Sequence, residues 1–435
     1  MRVEALLFRQ AARRPDHVAV VCGARRLTYR ELEQAARARA QSFPAGSRVA
    51  VRLPNSIEFV VDACAAWIAG AVVVPVNTRL APPEVQFILD DIQAPVKNDP
   101  QDCLILYTSG TTGRPKGAIH THGNVVVQNV EHHVAALGIG ENDRFLATTP
   151  LAHRAGVARM VNALGVGGTL YIMEKFDPAQ ALELIERERI SVAGLPPTVL
   201  RMMLPALRDA PGRLDSLRRV VVSTEAFPPH LMQEVAGLLP QVQFFGVYGM
   251  SEAAVSCADL AEQLERPGTV GKPLPGVEVG ISKEGELLVR GKDAVMRGYF
   301  NRPEANAEAF RDGWFHTGDL ARMDAEGYLY VVDRKKDMVI TGGYNVYSKE
   351  VEQVLTEHPD IADAAVVGVP DPVYGEAVAA FIELRPGARL SAESVVEHCR
   401  DLLAGYKKPR HVLFVESLPR NSLGKVLKAE LRKRF

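Results

Sequence analysis

Cysteine is scarce. The 435 residues hold five, at Cys22, Cys64, Cys103, Cys257 and Cys399. They are odd in number and far apart, and they form no CxxC or Cys/His metal spacing. This excludes a disulfide framework and a clustered zinc site, and it points to a reducing cytoplasm. Net charge is scarce as well: 51 basic residues face 52 acidic ones, leaving −1. No global attraction to nucleic acid or to an anionic membrane follows. The opening stretch MRVEALLFRQAARRPDHV has no apolar run of signal-peptide length. No uninterrupted membrane-spanning run occurs either. Within Phe59–Val76, Asp62 interrupts the stretch, Gly70 breaks it, and Val72–Val74 before Pro75 read as a strand. A buried helix followed by a buried strand is the expectation. There is no internal repeat, no low-complexity tract and no GxGxxG turn for a nicotinamide or flavin.

What is abundant is apolar residue, 47% of the chain, which excludes disorder and supplies a large core. The length exceeds that of one compact core, so two or more domains are expected. Short apolar runs alternate with amphipathic segments. Expected strands include 48–53, 71–76, 102–107, 144–148, 169–173, 192–195, 219–223 and 242–247, with helices at 28–41, 56–68, 82–89, 178–188, 197–207 and 228–239. Several of these helices start at or near proline. This order predicts α/β layers with largely parallel sheets. From about Gly271 to Asp333 the texture becomes β-rich. The last hundred residues read as a separate lid: helix 349–356, strands 361–369 and 376–384, helix 392–403 and strand 411–415. The expected fold class is therefore α/β, a large N-terminal domain of layered subdomains over 1–335 and a small mobile α+β lid over 336–435.

The most informative segment follows the strand ending at Tyr107. It is Thr108-Ser109-Gly110-Thr111-Thr112-Gly113-Arg114-Pro115-Lys116-Gly117. Glycines let backbone N–H groups approach an anion, hydroxyls add donors, and Lys116 adds a mobile positive charge. This inventory suits a polyphosphate. It is not a Walker loop, because Ala118 follows Gly117.

This run resembles the signature loop of the adenylate-forming superfamily, which includes acyl-CoA synthetases, adenylation domains and luciferases. Four further motifs follow in the same order. Tyr248-Gly249-Met250-Ser251-Glu252 resembles the adenine and magnesium motif, with Gly246 and Val247 just before it. His316-Thr317-Gly318-Asp319 resembles the ribose motif, Asp333-Arg334-Lys335-Lys336-Asp337 the hinge, and Pro419-Arg420-Asn421-Ser422-Leu423-Gly424-Lys425 the motif of the catalytic lysine. Ser223-Thr224-Glu225-Ala226-Phe227 resembles the adenine-flanking loop, with Thr224 where the family usually has glycine.

The resemblance implies a two-step reaction. A carboxylic acid attacks the α-phosphorus of ATP and releases pyrophosphate; a thiol, that of coenzyme A, then displaces AMP from the acyl-adenylate. It implies catalytic roles for Lys425, Glu252 and Lys116. ATP contacts are implied from Thr108, Ser109, Gly110, Thr111, Thr112, Lys116, Glu225, Ala226, Gly246, Tyr248, Gly249, Met250, Ser251, Asp319, Arg334 and Lys425. It further implies Mg²⁺ at Glu252 and Thr111, a CoA path at Gly342 and Gly343, and a hinge at Lys336. His153 and Val247 would line the acyl pocket, within walls at 150–156, 192–196 and 244–247 that fit an aliphatic or aromatic acid of modest size. Arg154 and Arg159 are unusual there. An inward arginine would favour a second anionic group on the substrate, but solvent-facing or acid-paired positions are the expectation.

Relatives carry several dozen more residues between a segment like 82–89 and the phosphate loop. Here 94–100 leads almost directly to the loop strand. The missing strand and helix would leave a sheet edge, and with it a route to a homodimer. A free-standing enzyme loading a carrier protein, and an inactive nucleotide-binding relative, remain alternatives. No nucleic-acid partner and no integral membrane segment are expected.

Overall fold

The computed structural model describes residues 1–108, 115–209, 211–223, 227–400, 402–420 and 426–435. The chain divides into two compact units. One comprises 1–279, 289–316 and 325–329; the other comprises 280–288, 317–324 and 330–435.

Two sheets organise the first unit. In the larger, strands Arg25–Thr28, Val18–Cys22, Thr169–Ile172, Arg144–Ala147, Val192–Gly194, Arg219–Val222, Gln243–Gly249, Ala254–Asp259 and Thr269–Pro273 lie side by side in that order. The run from Val18–Cys22 to Gln243–Gly249 is parallel throughout, as the βαβ alternation predicts. In the smaller sheet the order is Gly298–Tyr299, Lys116–Thr121, Asp102–Thr108, Val72–Pro75 and Arg48–Val51.

Local signals set the helices. Thr28 and Glu31 form a reciprocal capping box at the start of Tyr29–Ala40, and the Ser56 hydroxyl accepts from the Phe59 amide to start Ile57–Ile68. The stretch that resembles a membrane span is that second helix followed by the fully buried strand Val72–Pro75. Trp67, buried in the helix, donates its indole N–H to the Cys103 carbonyl at 2.9 Å. Among the described residues no helix is long and apolar enough to cross a membrane.

Several elements depart from expectation. Helix Glu4–Arg13 and the Val18–Cys22/Arg25–Thr28 hairpin have no counterpart in the sequence reading. Neither does helix Arg154–Val166, whose residues from 156 to 165 are all buried. Buried residues lie on all its sides, Arg159 and Asn162 among them, so it shows no amphipathic period. Its glycines are needed for close approach: a Cβ on Gly156 would lie 2.2 Å from the Pro150 carbonyl oxygen, and one on Gly165 2.5 Å from Val130.

The short connector after helix Pro82–Asp91 is held by one side chain. Arg48, on the edge strand Arg48–Val51, donates to the carbonyls of Ile92 (2.6 Å), Ala94 (2.7 Å) and Val96 (2.8 Å) and to Asn98 Oδ1 (2.8 Å).

In the second unit, strand Gly375–Leu384 pairs antiparallel with Ile361–Asp371 along one edge; it also pairs in parallel with His411–Val415 and, at Gly375, with Thr341 of the hairpin Val339–Thr341/Tyr344–Val346. Helices Ser348–Thr356 and Ala392–His398 contribute Val351, Leu355 and Val395 to the same core as strand residues Val366, Val378 and Ile382. The second of these helices ends five residues earlier than the sequence pattern suggests.

Candidate active site

The expected phosphate loop springs from an antiparallel strand pair. Thr108 closes strand Asp102–Thr108, Lys116 opens Lys116–Thr121, and the two residues are directly paired. Ser109, Gly110, Thr111 and Thr112 lie outside the described residues. Gly117 is required by packing, because a Cβ there would meet Ile105 Cγ2 at 2.7 Å and the Tyr107 ring at 3.1 Å.

The Tyr248–Glu252 segment sits where the strand Gln243–Gly249 ends, at the carboxyl edge of the parallel run. Ligands of open α/β sheets bind at such edges. Gly246 is registered with Val222 of the neighbouring strand, and Tyr248 is half-buried. A tight turn follows: Met250 and Ala253 exchange N–H···O bonds at 2.8 and 3.2 Å, and a Cβ on Gly249 would lie 2.7 Å from the Ala253 oxygen. The Ser251 carbonyl meets His120 Nε2 at 2.7 Å. Glu225 and Ala226 lie outside the described residues.

Tyr299 joins these two pieces. Its strand pairs with Lys116–Thr121, placing Tyr299 opposite Ala118. The Tyr299 hydroxyl donates to Glu252 Oε1 at 2.9 Å, and Lys116 Nζ lies 5.2 Å from the centroid of its ring. One aromatic side chain therefore sets the spacing of a cation and a carboxylate on adjoining elements. Sequence reasoning missed both Tyr299 and His120. Their roles follow from strand register between segments more than 100 residues apart, which no local pattern announces. A single carboxylate beside a phosphate loop fits Mg²⁺, which takes one or two carboxylates and completes its shell with phosphate and water.

Of the expected acyl-pocket residues, Val247 lies in an apolar cluster. His153 precedes helix Arg154–Val166, and its carbonyl accepts from the Val157 amide at 2.9 Å. Leu151, Val157, Met160 and Val192 pack there with Val247 and Phe245. Burial, then the neighbouring Arg154, lowers His153 to about 4, so its ring is neutral near pH 7.

Arg154 and Arg159 correct the expectation of solvent-facing or acid-paired side chains. Arg159 is 4% exposed. Arg154 is partly buried and donates to Gln128 Oε1 at 2.8 Å, with Glu252 near enough to stabilise its charge. Arg159 is enclosed because the helix is buried throughout 156–165.

In the second unit the ribose and hinge motifs meet each other. Asp319 is buried, and Arg334 Nε lies 3.0 Å from its Oδ1. Gly318, at φ +71°, donates to Glu286 Oε1 at 3.0 Å, and Thr317 Oγ1 accepts from the Asp319 amide at 3.1 Å. Partial desolvation lowers Lys336 from its ordinary value against the raising effect of Asp337. Asp337 is held by Arg432 at 2.8 Å. Gly342 and Gly343 form the two-residue turn between Thr341 and Tyr344, with φ of +57° and +82°. Positive φ at both positions is what such a turn requires. Lys425 lies outside the described residues; Arg420 and Val426, on either side of the catalytic-lysine motif, pair in an antiparallel bridge.

Comparison with known proteins agrees with these motifs. Residues 7–97 and 91–300 match the family described as AMP-binding enzyme, and 350–425 match the AMP-binding enzyme C-terminal domain. The first match breaks where the connector is short. The chain is 36% identical over 483 aligned positions to a feruloyl-CoA synthase from Amycolatopsis sp, covering 98% of each chain. It is 33% identical to a 2-succinylbenzoate–CoA ligase from Geobacillus kaustophilus, covering 96% of this chain and 95% of the other. Among solved structures it resembles an o-succinylbenzoate coenzyme A synthetase from Bacillus subtilis in complex with ATP and magnesium ion, with a TM-score of 0.89, 29% identity and 98% of each chain covered. The chain belongs to the AMP-binding enzyme family, as an adenylate-forming enzyme of the acyl-CoA synthetase type.

Proposed function

We propose that the enzyme is an ATP-dependent acid–CoA ligase acting on an aromatic or fatty carboxylic acid of modest size. The observation that carries this reading is the Lys116–Tyr299–Glu252 arrangement at the foot of the phosphate loop. In the first half-reaction a carboxylate oxygen of the acid bonds to the α-phosphorus of ATP and the bond to pyrophosphate breaks. Negative charge gathers at phosphorus and must be neutralised. Lys116, Thr108 and the loop residues Ser109, Gly110, Thr111 and Thr112 receive the phosphates. Glu225, Ala226, Gly246, Tyr248, Gly249, Met250 and Ser251 hold the adenine end, while Asp319 and Arg334 take the ribose hydroxyls. Glu252 and Thr111 are the residues that would hold Mg²⁺, whose chemistry there is neutralisation of charge on phosphate oxygens. Lys425 bridges the acid and the α-phosphate.

In the second half-reaction the CoA sulfur bonds to the acyl carbon, and AMP leaves with the bonding electron pair. Lys425 and the thiol need the same face of the adenylate. The reading therefore assigns 336–435 to a lid that changes pose about Lys336, with 1–335 as the body. Gly342 and Gly343 border the thiol path, where absent side chains leave room for a narrow pantetheine arm. The free cysteines, four of them buried, support a reducing compartment such as the cytoplasm.

The test is pyrophosphate release over a panel of aliphatic, aromatic and dicarboxylic acids, with CoA, with carrier proteins and with neither. Acid-dependent release followed by acyl-CoA formation is expected. Thioester on a carrier protein but not on CoA would reassign the acceptor. ATP binding without release from any acid would make the protein an inactive relative.

A further inference from the structure

Among the described residues Arg159, in the interior of the first unit, has no counter-ion. It is 4% exposed, and its Nε and Nη1 are buried with no hydrogen-bond partner. Among the described residues no carboxylate lies within ion-pair distance of it. Burying an unpaired charge is costly, and such groups are normally paired or hydrogen-bonded.

Arg154 lies five residues earlier on the same helix. His133 is buried and held near 3, by burial first and then by Arg159; His153 is likewise neutral. Glu252 acts on Arg154, but burial alone acts on Arg159. That burial brings Arg159 down only to about 10, so it stays cationic near neutrality.

The location connects this charge to the acid. The Arg159 side chain lies against the strand Val192–Gly194, its Nε 3.7 Å from where a Cβ on Gly194 would stand. Helix Arg154–Val166 follows directly on His153, and strand Val192–Gly194 is another expected wall of the pocket. Arg159 lies five residues beyond the start of that helix, between Val157 and Met160, which pack in the apolar cluster that holds Val192 and Val247.

We infer that the Arg159 guanidinium recognises an anion in the acyl pocket, and that the acid this enzyme activates carries a second carboxylate remote from the reacting one. The inference rests on the ligase reading and narrows its substrate class. A guanidinium N–H donates a charge-assisted hydrogen bond to a carboxylate oxygen, and the unpartnered Nε and Nη1 are each donors for such a bond. An acid lacking the second carboxylate would leave the guanidinium buried and unpaired, and a site built for a polar group rejects such analogues strongly.

The experiment compares matched acids in pyrophosphate release: hexanoate with adipate, octanoate with suberate, cinnamate with para-carboxycinnamate. With the unaltered enzyme, the dicarboxylate of at least one pair is expected to have a kcat/KM about tenfold or more above its partner. Arg159→Met is expected to remove or reverse that preference, chiefly through KM of the dicarboxylate, and Arg159→Lys to restore part of it. The comparison on the unaltered enzyme requires no variant to fold. Monocarboxylates used as well as dicarboxylates in every pair would overturn the inference while leaving the ligase reading intact. Equal loss on both members of a pair in Arg159→Met would also overturn it, since the arginine would then serve only packing. No release from any acid would instead overturn the ligase reading.

Discussion

The Tyr299 hydroxyl donates to Oε1 of Glu252 at 2.9 Å, and the same ring lies 5.2 Å from the ammonium of Lys116. A carboxylate proposed for Mg²⁺ and a lysine proposed for phosphate are thus spaced by a residue outside every motif. Tyr299→Phe keeps the ring and removes the donor. A hydrogen bond to a charged group is worth about 1.5–3 kcal/mol, reduced here by partial exposure. The expected outcome is about a tenfold fall in kcat/KM for pyrophosphate exchange, partly recovered by raising Mg²⁺. Exchange at the original rate and the original Mg²⁺ dependence would mean that Tyr299 does not position Glu252.

Arg48 holds the shortened connector through three backbone carbonyls and Asn98. Arg48→Ala leaves the carbonyls of Ile92 and Ala94 without these donors. A loss of about 2–3 kcal/mol is expected, from abandoned charge-assisted bonds and lost packing against Phe300. Urea unfolding measures it, and the variant should also reveal any dimer formed through the edge strand, seen as a larger species by light scattering. Unchanged stability would show that the connector needs no clamp.

Acid should unfold the protein early. Burial, then Arg154, lowers His120 to about 3; burial, then Arg159, does the same to His133, while His153 lies at about 4. The unfolded chain binds protons at these histidines below about 6.5, whereas the folded chain binds them only near 3 to 4. Stability is therefore fully present above pH 6.5 and is lost as pH falls, levelling off near 4 for His153 and near 3 for His120 and His133. At pH 5 each such histidine costs roughly 2 kcal/mol, a large share of a typical folding stability of about 5–15 kcal/mol. Urea midpoints at pH 7.5, 6 and 5 should fall steeply, and His133→Gln should flatten the slope. A flat profile would contradict the burial of neutral rings.

Gly342 stands at φ +57°, where a Cβ would lie 3.1 Å from the Tyr374 ring. Gly342→Ala costs about 1–2 kcal/mol of backbone strain. If the turn borders the thiol path, acyl-CoA formation should slow about tenfold while pyrophosphate exchange stays within about twofold. Equal slowing of both steps would remove the turn from the thiol path.

Much of this architecture is legible in the sequence, and the exceptions have physical reasons. Helices at 28–41, 56–68 and 178–188 carry Thr, Ser or Asp–Pro start signals, and the structure starts them within a residue or at the predicted position. Helix Arg154–Val166 is not legible, because enclosure on all sides erases the polar face that periodicity detects. The inward Arg159 escapes for the same cause: burial of a charge is a property of the assembled interior, and composition argues against it. Tyr299 and His120 depend on register between distant strands. The hydroxyl-rich loop and Lys425 are the reverse case. The chemistry proposed for them is read from residue type and order alone.

The central claim is that Lys425 supplies its charge to bond formation at phosphorus and has no part in thioester formation. Lys425→Ala, assayed separately for acid-dependent ATP–pyrophosphate exchange and for acyl-CoA formation from supplied acyl-adenylate, tests it directly. The account predicts exchange reduced by about a hundredfold or more, with acyl-CoA formation from the adenylate within a few-fold of the unaltered enzyme. Equal loss in both half-reactions, or undiminished exchange, would contradict it.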